Sequence, residues 1–236
     1  MRTNVVPLLT CLLLFAAGAQ GGPQWVEGTH YFLITPAQPT SVGEGQIEVT
    51  EAFSYGCPAC NAFEPIMQKL EASLPANAVL THVPASFIPR EQWPLFQRAF
   101  YTAKALNIVG ETHQAMYDAI WKTGELAVVD YATHRLLRTP PDLEDVARFY
   151  AGHAEVTEEE FLDAAKSFSV ALDMRRADDW IEACRVDRTP TIVVNGKYRV
   201  HGQSAGSANR LIELVNWLVA QESAAGAPEA GAPDAP

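Results

Sequence analysis

Two cysteines three positions apart, in the segment FSYGCPACNAFEP (53–65), constrain the fold of this 236-residue chain more than any other feature. A strand pattern, QIEVTEAFS (46–54), leads into Cys57, and apolar residues at helical spacing follow Cys60. At the start of a helix, unpaired N–H groups and the helix dipole stabilise a thiolate. We therefore predict that Cys57 is the exposed nucleophile, and that Cys60 is the more buried resolving thiol of a mixed-disulfide reaction.

Two other interpretations of Cys57 and Cys60 remain open at this point. The pair can form an inert structural disulfide, although the strand–CxxC–helix order favours a redox role. It can also be half of a zinc site, which needs two further nitrogen or sulfur ligands. The sequence has no second CxxC motif, and its six histidines are scattered. We therefore predict no metal.

The net charge and the N-terminal segment limit which class of protein this chain can belong to. The net charge of −11 and the lack of a basic cluster exclude nucleic-acid binding. Residues 1–19 combine Arg2, an apolar run and small residues up to Ala19, which predicts a signal peptide for export.

Once residues 1–19 are removed, Cys184 is the one cysteine that remains besides the CxxC pair. We interpret it as a small buried hydrophobe, with a third redox thiol as the alternative.

The order of elements predicts an α/β protein with a thioredoxin-like fold and an inserted all-helical domain. The pattern runs strand, CxxC, helix, strand, helical block, hairpin and helix. Two local sequence signals support this order of elements. Thr157 and Glu160 have capping-box spacing, and Asn195-Gly196 predicts a hairpin turn. The predicted boundaries are a signal peptide at 1–19, an N-terminal arm with one short strand at 20–45, a thioredoxin-like domain at 46–88 and 171–222, a helical insertion at 89–170, and a disordered tail at 223–236.

Two motifs together resemble a known family. FSYGCPACNAFEP is similar to the active-site segment of the DsbA-type periplasmic thiol–disulfide oxidoreductases, and TPTIVVNGKYRV (189–200) resembles their loop with a cis-proline. The resemblance covers about residues 45–222. It implies a periplasmic oxidant that donates its disulfide to unfolded or partly folded exported proteins. It also implies a DsbB-type membrane partner that restores the disulfide, and no cofactor beyond the Cys57–Cys60 pair.

The resemblance also assigns roles to individual residues. Pro190 matches the cis-proline, and Thr189 before it exposes backbone that can pair with an extended substrate. Glu51 matches a buried acid that exchanges a proton with Cys60. The simpler interpretations are an ordinary trans proline and a surface glutamate on an edge strand. His82 is the nearest candidate for the basic residue that such folds place near the acid.

Pro58 and Ala59 lie between the cysteines and are expected to tune the redox potential. The family usually has histidine where this chain has Ala59, and the loss of that imidazole predicts a weaker oxidant. A reductase or isomerase is therefore a rival interpretation, and a non-catalytic thioredoxin-fold binding protein is another. Residues 20–45 are too short for the dimerisation region that isomerases of this fold need, and we expect a monomer.

Overall fold

The structure is a computed structural model that describes residues 24–130, 132–133 and 135–226. Seven strands and seven α-helices, with a short 3-10 helix at Pro89–Glu91, make up this part of the chain. The strands are β1 (Phe32–Leu33), β2 (Ile47–Phe53), β3 (Ala78–Pro84), β4 (Val129–Asp130), β5 (Arg135–Leu136), β6 (Thr191–Val194) and β7 (Tyr198–His201). The helices are α1 (Pro58–Ser73), α2 (Trp93–Ala105), α3 (Val109–Trp121), α4 (Leu143–His153), α5 (Glu158–Ala165), α6 (Phe168–Ala183) and α7 (Ala208–Gly226).

The main sheet has five strands in the order β1-β7-β6-β2-β3. Strand β2 pairs in parallel with β3 and antiparallel with β6, so it lies inside the sheet. All seven residues of β2 are buried. Side chains that alternate along a strand face opposite sides of a sheet, and this complete burial therefore requires cover on both faces. The mixed α/β architecture agrees with the predicted fold class.

Two hydrophobic clusters cover the two faces of the sheet. One joins α1 and α7 to the sheet through residues such as Val49, Met67 and Leu214. The other joins the inserted helices to the sheet and includes Phe53, Phe96 and buried residues close to the cysteines. The insertion therefore shares its core with the active-site end of the sheet and does not form a separate core.

The hairpin signal is confirmed. Asn195 and Gly196 both have positive φ, 52° and 63°, and the Lys197 N–H donates to the Val194 carbonyl at 3.0 Å. This geometry needs φ values that Asn and Gly tolerate best. Strand β1 of the N-terminal arm adds to the outer side of β7, as the prediction of one short strand requires.

Four sequence predictions need correction or lie, in whole or in part, outside the described residues. The insertion is not entirely helical, because β4 and β5 form a small two-stranded sheet; strands of two residues carry no detectable periodicity. Helix α6 crosses the predicted boundary at 170–171, and α7 reaches Gly226, so 223–226 are helical and not tail. The predicted signal peptide and residues 227–236 lie outside the described residues. Among the helices that are described, none is long and apolar enough to cross a membrane.

Candidate active site

Cys57 is the N-cap residue of α1. Its extended backbone (φ −90°, ψ 114°) precedes Pro58, which occupies the first helical turn, where a missing N–H costs nothing. The Cys60 N–H donates to the Cys57 sulfur at 3.3 Å. The sulfur therefore receives a backbone hydrogen bond at the positive end of the helix dipole, which is the environment that favours a thiolate.

The environments of the two cysteines push their pKa values apart. A hydrogen bond from the Cys60 thiol, with backbone N–H groups of Ala59 and Cys60, lowers the pKa of Cys57 to about 6 against the opposing effect of burial. Burial, followed by the interaction with Cys57, raises the pKa of Cys60 strongly. Cys57 is therefore ionised near neutral pH, whereas Cys60 keeps its proton.

Cys57 is less accessible than the sequence predicts. It exposes only 4% of its surface, while Cys60 exposes none. The prediction that Cys57 is the more accessible of the two is therefore right, but the prediction of an exposed nucleophile is wrong. The carbonyl oxygen of Thr189 covers it. This oxygen lies 3.7 Å from the Cys57 sulfur and accepts a hydrogen bond from the thiol when Cys57 is protonated.

The Thr189–Pro190 peptide bond is cis, and the alternative of an ordinary trans proline is wrong. A cavity of about 230 Å³ lies against this loop. Ala59 and Phe63 of α1 line one side of it, and Arg188 and His201 line the other. Pro58 and Ala59, between the two buried cysteines, are exposed, and Ala59 joins the CxxC segment to the cavity beside the loop.

Glu51 is buried on β2 with 1% exposure, so the alternative of a surface glutamate is wrong. Neither of its carboxylate oxygens has a hydrogen-bond partner among the described residues. Burial, followed by the charges of Glu64 and Cys57, raises the pKa of Glu51 well above its usual value. Glu51 in turn contributes to the raised pKa of Cys60. Burial therefore favours the protonated form of Glu51, and its negative charge, where it ionises, disfavours the thiolate of Cys60.

His82 lies beside Glu51, as its candidacy for the basic residue requires. The two residues are register partners on β2 and β3, with 3.7 Å between His82 Nε2 and Glu51 Oε2. Burial and the nearby His113 lower the pKa of His82 to about 3. His82 is therefore neutral near neutral pH, and it does not supply the positive charge that a basic residue would.

Three polar residues of the site were missed by the sequence analysis. The hydroxyl of Tyr55 is hydrogen-bonded to Nδ1 of His113 at 2.7 Å, and Nε2 of His113 lies 3.6 Å from Glu64 Oε2. Burial tends to raise the pKa of Glu64, but the close approach of His113 and a hydrogen bond from Gln68 outweigh it and lower that pKa. The position of Tyr55 just before the CxxC motif was the one available signal.

Cys184 is fully buried at the C-terminal end of α6. Burial raises the pKa of its thiol to about 12, which keeps it protonated and unreactive. The interpretation as a small buried hydrophobe is confirmed. Within the described residues, no group of three or more His, Cys, Asp or Glu side chains is arranged to hold a metal ion.

Comparisons with known proteins identify relatives over nearly the whole chain. The thiol:disulfide interchange protein DsbA of Pseudomonas aeruginosa is 34% identical over 222 residues, which cover 92% of this chain and 97% of the relative. DsbA of Azotobacter vinelandii is 35% identical over 223 residues, covering 90% and 93%. The crystal structure of the oxidoreductase DsbA from Xylella fastidiosa superposes with a TM-score of 0.74 at 30% identity, covering 86% of this chain and 100% of that chain. No protein-family model matches the chain.

Proposed function

Because this chain belongs to the DsbA family of thiol:disulfide interchange proteins, we propose that it donates the Cys57–Cys60 disulfide to unfolded or partly folded exported proteins. Its class, a thiol:disulfide oxidoreductase, follows from the family. The substrates, the direction of electron flow and the compartment are the proposal. The observation that carries it is the contrast between Cys57, whose pKa is lowered to about 6, and Cys60, whose pKa is strongly raised.

The first step is attack by a substrate thiolate on the sulfur of Cys57. A substrate–Cys57 bond forms, the Cys57–Cys60 bond breaks, and Cys60 leaves with the electron pair. Because its raised pKa disfavours a thiolate, Cys60 takes up a proton, and the protonated carboxyl of Glu51 is the nearby group that can supply it. Glu51 then regains a proton from the surroundings.

The second step releases the oxidised substrate. A second substrate thiolate attacks the substrate sulfur of the mixed disulfide, and Cys57 leaves as a thiolate. A leaving thiol with a low pKa departs fastest, which suits Cys57 to this step. Two electrons have then moved from the substrate dithiol to the protein. We propose that a DsbB-type membrane partner removes them and restores the disulfide.

Substrate binding is assigned to the Thr189–Pro190 loop. The carbonyl of Thr189 lies beside Cys57 at the surface of the site, where an extended peptide can add as a short strand. The cavity lined by Ala59, Phe63 and His201 accommodates an apolar side chain of that peptide. This mode recognises backbone and a general apolar group, and it suits a protein that acts on many unfolded chains.

The compartment is proposed on the same grounds. The predicted signal peptide at 1–19 directs the chain to the periplasm, where thiols meet oxidising conditions. The second candidate function is a reductase or isomerase. The observation that favours it is Ala59, which is exposed two positions after Cys57 and has no side-chain charge to stabilise a thiolate there.

The test is the equilibrium of the Cys57–Cys60 pair in a series of glutathione redox buffers, together with oxidation of a reduced, unfolded protein. We expect a reduction potential above the glutathione poise and disulfide transfer at substoichiometric enzyme with an added oxidant. Cys57→Ser should abolish transfer, with Cys184→Ser as the matched control that leaves it intact. A potential at or below the glutathione poise overturns the oxidant role in favour of the reductase. Transfer that survives Cys57→Ser overturns the catalytic role of the pair.

A further inference from the structure

Tyr55, two residues before the nucleophile, is held at both ends by helix α3 of the insertion. The indole Nε1 of Trp121 donates to the backbone carbonyl of Tyr55 at 2.7 Å. The Tyr55 hydroxyl is hydrogen-bonded to His113 Nδ1 at the same distance. Tyr55 itself is 1% exposed, so water cannot readily replace either contact.

Gly56, the residue between Tyr55 and Cys57, packs against Trp93 of a second inserted helix. A Cβ atom on Gly56 would lie 2.9 Å from both Cδ1 and Nε1 of Trp93, at the start of α2. Real Cβ atoms essentially never approach other atoms so closely, so the indole occupies the space that any other side chain would need. We refer to Trp93, His113 and Trp121 together as the insertion clamp.

The clamp acts on the turn that carries the nucleophile. The Cys57 N–H donates to the Ser54 carbonyl at 3.0 Å, and the Gly56 N–H donates to the Ser54 hydroxyl at 3.2 Å. Residues 54–57 therefore form one hydrogen-bonded turn. The position of this turn fixes where the Cys57 sulfur lies relative to the Cys60 N–H and the Thr189 carbonyl.

We propose that Trp121 is a positioning residue, which acts through the Tyr55 carbonyl to hold the Cys57 turn and so stabilises the reduced pair relative to the disulfide. The inference rests on the proposed redox role of Cys57 and Cys60. It gives the insertion a part in setting the redox equilibrium in addition to any part in binding. The two oxidation states differ in how far they depend on the turn. A disulfide is held by its covalent bond, whereas a thiolate is stabilised only by short contacts to N–H groups and the helix dipole.

The test compares Trp121→Phe with the parent protein and with Trp180→Phe. Trp180 lies on α6 in the same inserted layer and is partly buried, and none of the hydrogen bonds described for residues 54–57 involves it. The measurements are the equilibrium constant for reduction by glutathione and the pH midpoint of thiolate absorbance. For Trp121→Phe we expect the constant to fall about 3- to 10-fold, the effect of one net hydrogen bond, and the thiolate midpoint to rise. For Trp180→Phe we expect both values to equal those of the parent.

Stability is measured alongside, because a purely structural role for Trp121 predicts lower stability with an unchanged equilibrium constant. That result overturns the proposal. If Trp121→Phe does not fold, Tyr55→Phe decides, since it removes only the hydroxyl that bonds to His113. A fall in the equilibrium constant for reduction of Tyr55→Phe by glutathione supports the role of the insertion clamp. An unchanged constant overturns that role. The glutathione equilibrium reports on the clamp even if the parent fails to oxidise unfolded proteins, which is the separate failure of the proposed function.

Discussion

The carbonyl oxygen of Thr189 lies 3.7 Å from the sulfur of Cys57, although 132 positions separate them in the chain. The sheet explains this contact. Strand β2 ends just before Cys57 and β6 begins just after Pro190, and the two strands are antiparallel neighbours with Ala52 opposite Thr191. The loop that follows one strand and the loop that precedes the other therefore meet at one edge, and this brings the Cys57 sulfur and the Thr189 carbonyl together.

The substitution Ala59→His should make the protein a stronger oxidant. Ala59 is exposed in the first turn of α1, and its backbone N–H already contributes to the lowered pKa of Cys57. An imidazolium at this position adds a positive charge next to the thiolate. We expect the pKa of Cys57 to fall below its present value of about 6. The equilibrium constant for reduction by glutathione should rise about tenfold for each unit by which the pKa of Cys57 falls.

The measurement for Ala59→His is thiolate absorbance against pH, together with the glutathione equilibrium. Ala59→Gln is the matched control, because it adds a polar side chain of similar size without a charge. Equal shifts in the two variants would show that size or helix propensity changes the equilibrium, and that the missing charge does not. An unchanged reduction potential in Ala59→His would refute the expectation that alanine at position 59 makes this protein a weaker oxidant.

Glu51→Gln should stabilise the oxidised protein, and increasingly so as the pH rises. An unfolded glutamate has a pKa of about 4.3, whereas burial raises the pKa of Glu51 in the folded protein. Between these two values the folded state holds a proton that the unfolded state has lost. The contribution of Glu51 to stability therefore falls as the pH rises. Glutamine has no such dependence, so we expect the stability gain of Glu51→Gln over the parent to grow as the pH rises from about 5 to about 8.

Urea unfolding of the disulfide form at several pH values measures this difference, since neither active-site thiol titrates in that form. Glu48→Gln is the control. Glu48 is also buried on β2, but its carboxylate accepts hydrogen bonds from Ser41 and Thr81, so its substitution should give no gain. A stability difference for Glu51→Gln that stays constant from about pH 5 to about pH 8 would contradict the raised pKa. In the same variant, slower disulfide transfer would support the role of Glu51 as the proton donor to Cys60.

Features encoded by neighbouring residues were predictable from the sequence. The capping box of Thr157 and Glu160 is present as predicted, because both of its hydrogen bonds form within one turn. The same holds for the Asn195-Gly196 turn and for Cys57 at the start of a helix. Each of these depends on backbone geometry over three or four positions, which residue type alone restricts.

Contacts between the insertion and the active-site turn were not predictable. The Tyr55–His113 and Tyr55–Trp121 hydrogen bonds span 58 and 66 positions. They depend on how α3 packs against the end of β2, and an apolar stripe on a helix specifies a buried face but not its partner. The neutral state of His82 was also hidden, since it follows from burial and from the nearby His113, neither of which the spacing of residues reveals.

Gly196→Ala should destabilise the protein far more than other substitutions at glycines with positive φ. Gly196 has a φ of +63°, and a Cβ there would lie 2.0 Å from the backbone carbonyl oxygen of Gln38. The arm is fastened at this point, because the Gln38 N–H donates to the Gly196 carbonyl at 2.9 Å. Backbone cannot move aside as a side chain can, and we expect a loss of about 3 kcal/mol or more.

Gly206→Ala separates the two causes of this loss. Gly206 has a φ of +83° but no atom within 4 Å of an added Cβ, so its substitution costs only the left-handed conformation, about 1–2 kcal/mol. The difference between the two variants in urea unfolding therefore measures the close contact between the hairpin and the N-terminal arm. Equal losses would mean that the arm yields at Gln38 without cost. In that case the arm would pack only loosely beside β7 at the edge of the sheet. Removal of the arm should then leave the redox equilibrium of Cys57 and Cys60 unchanged.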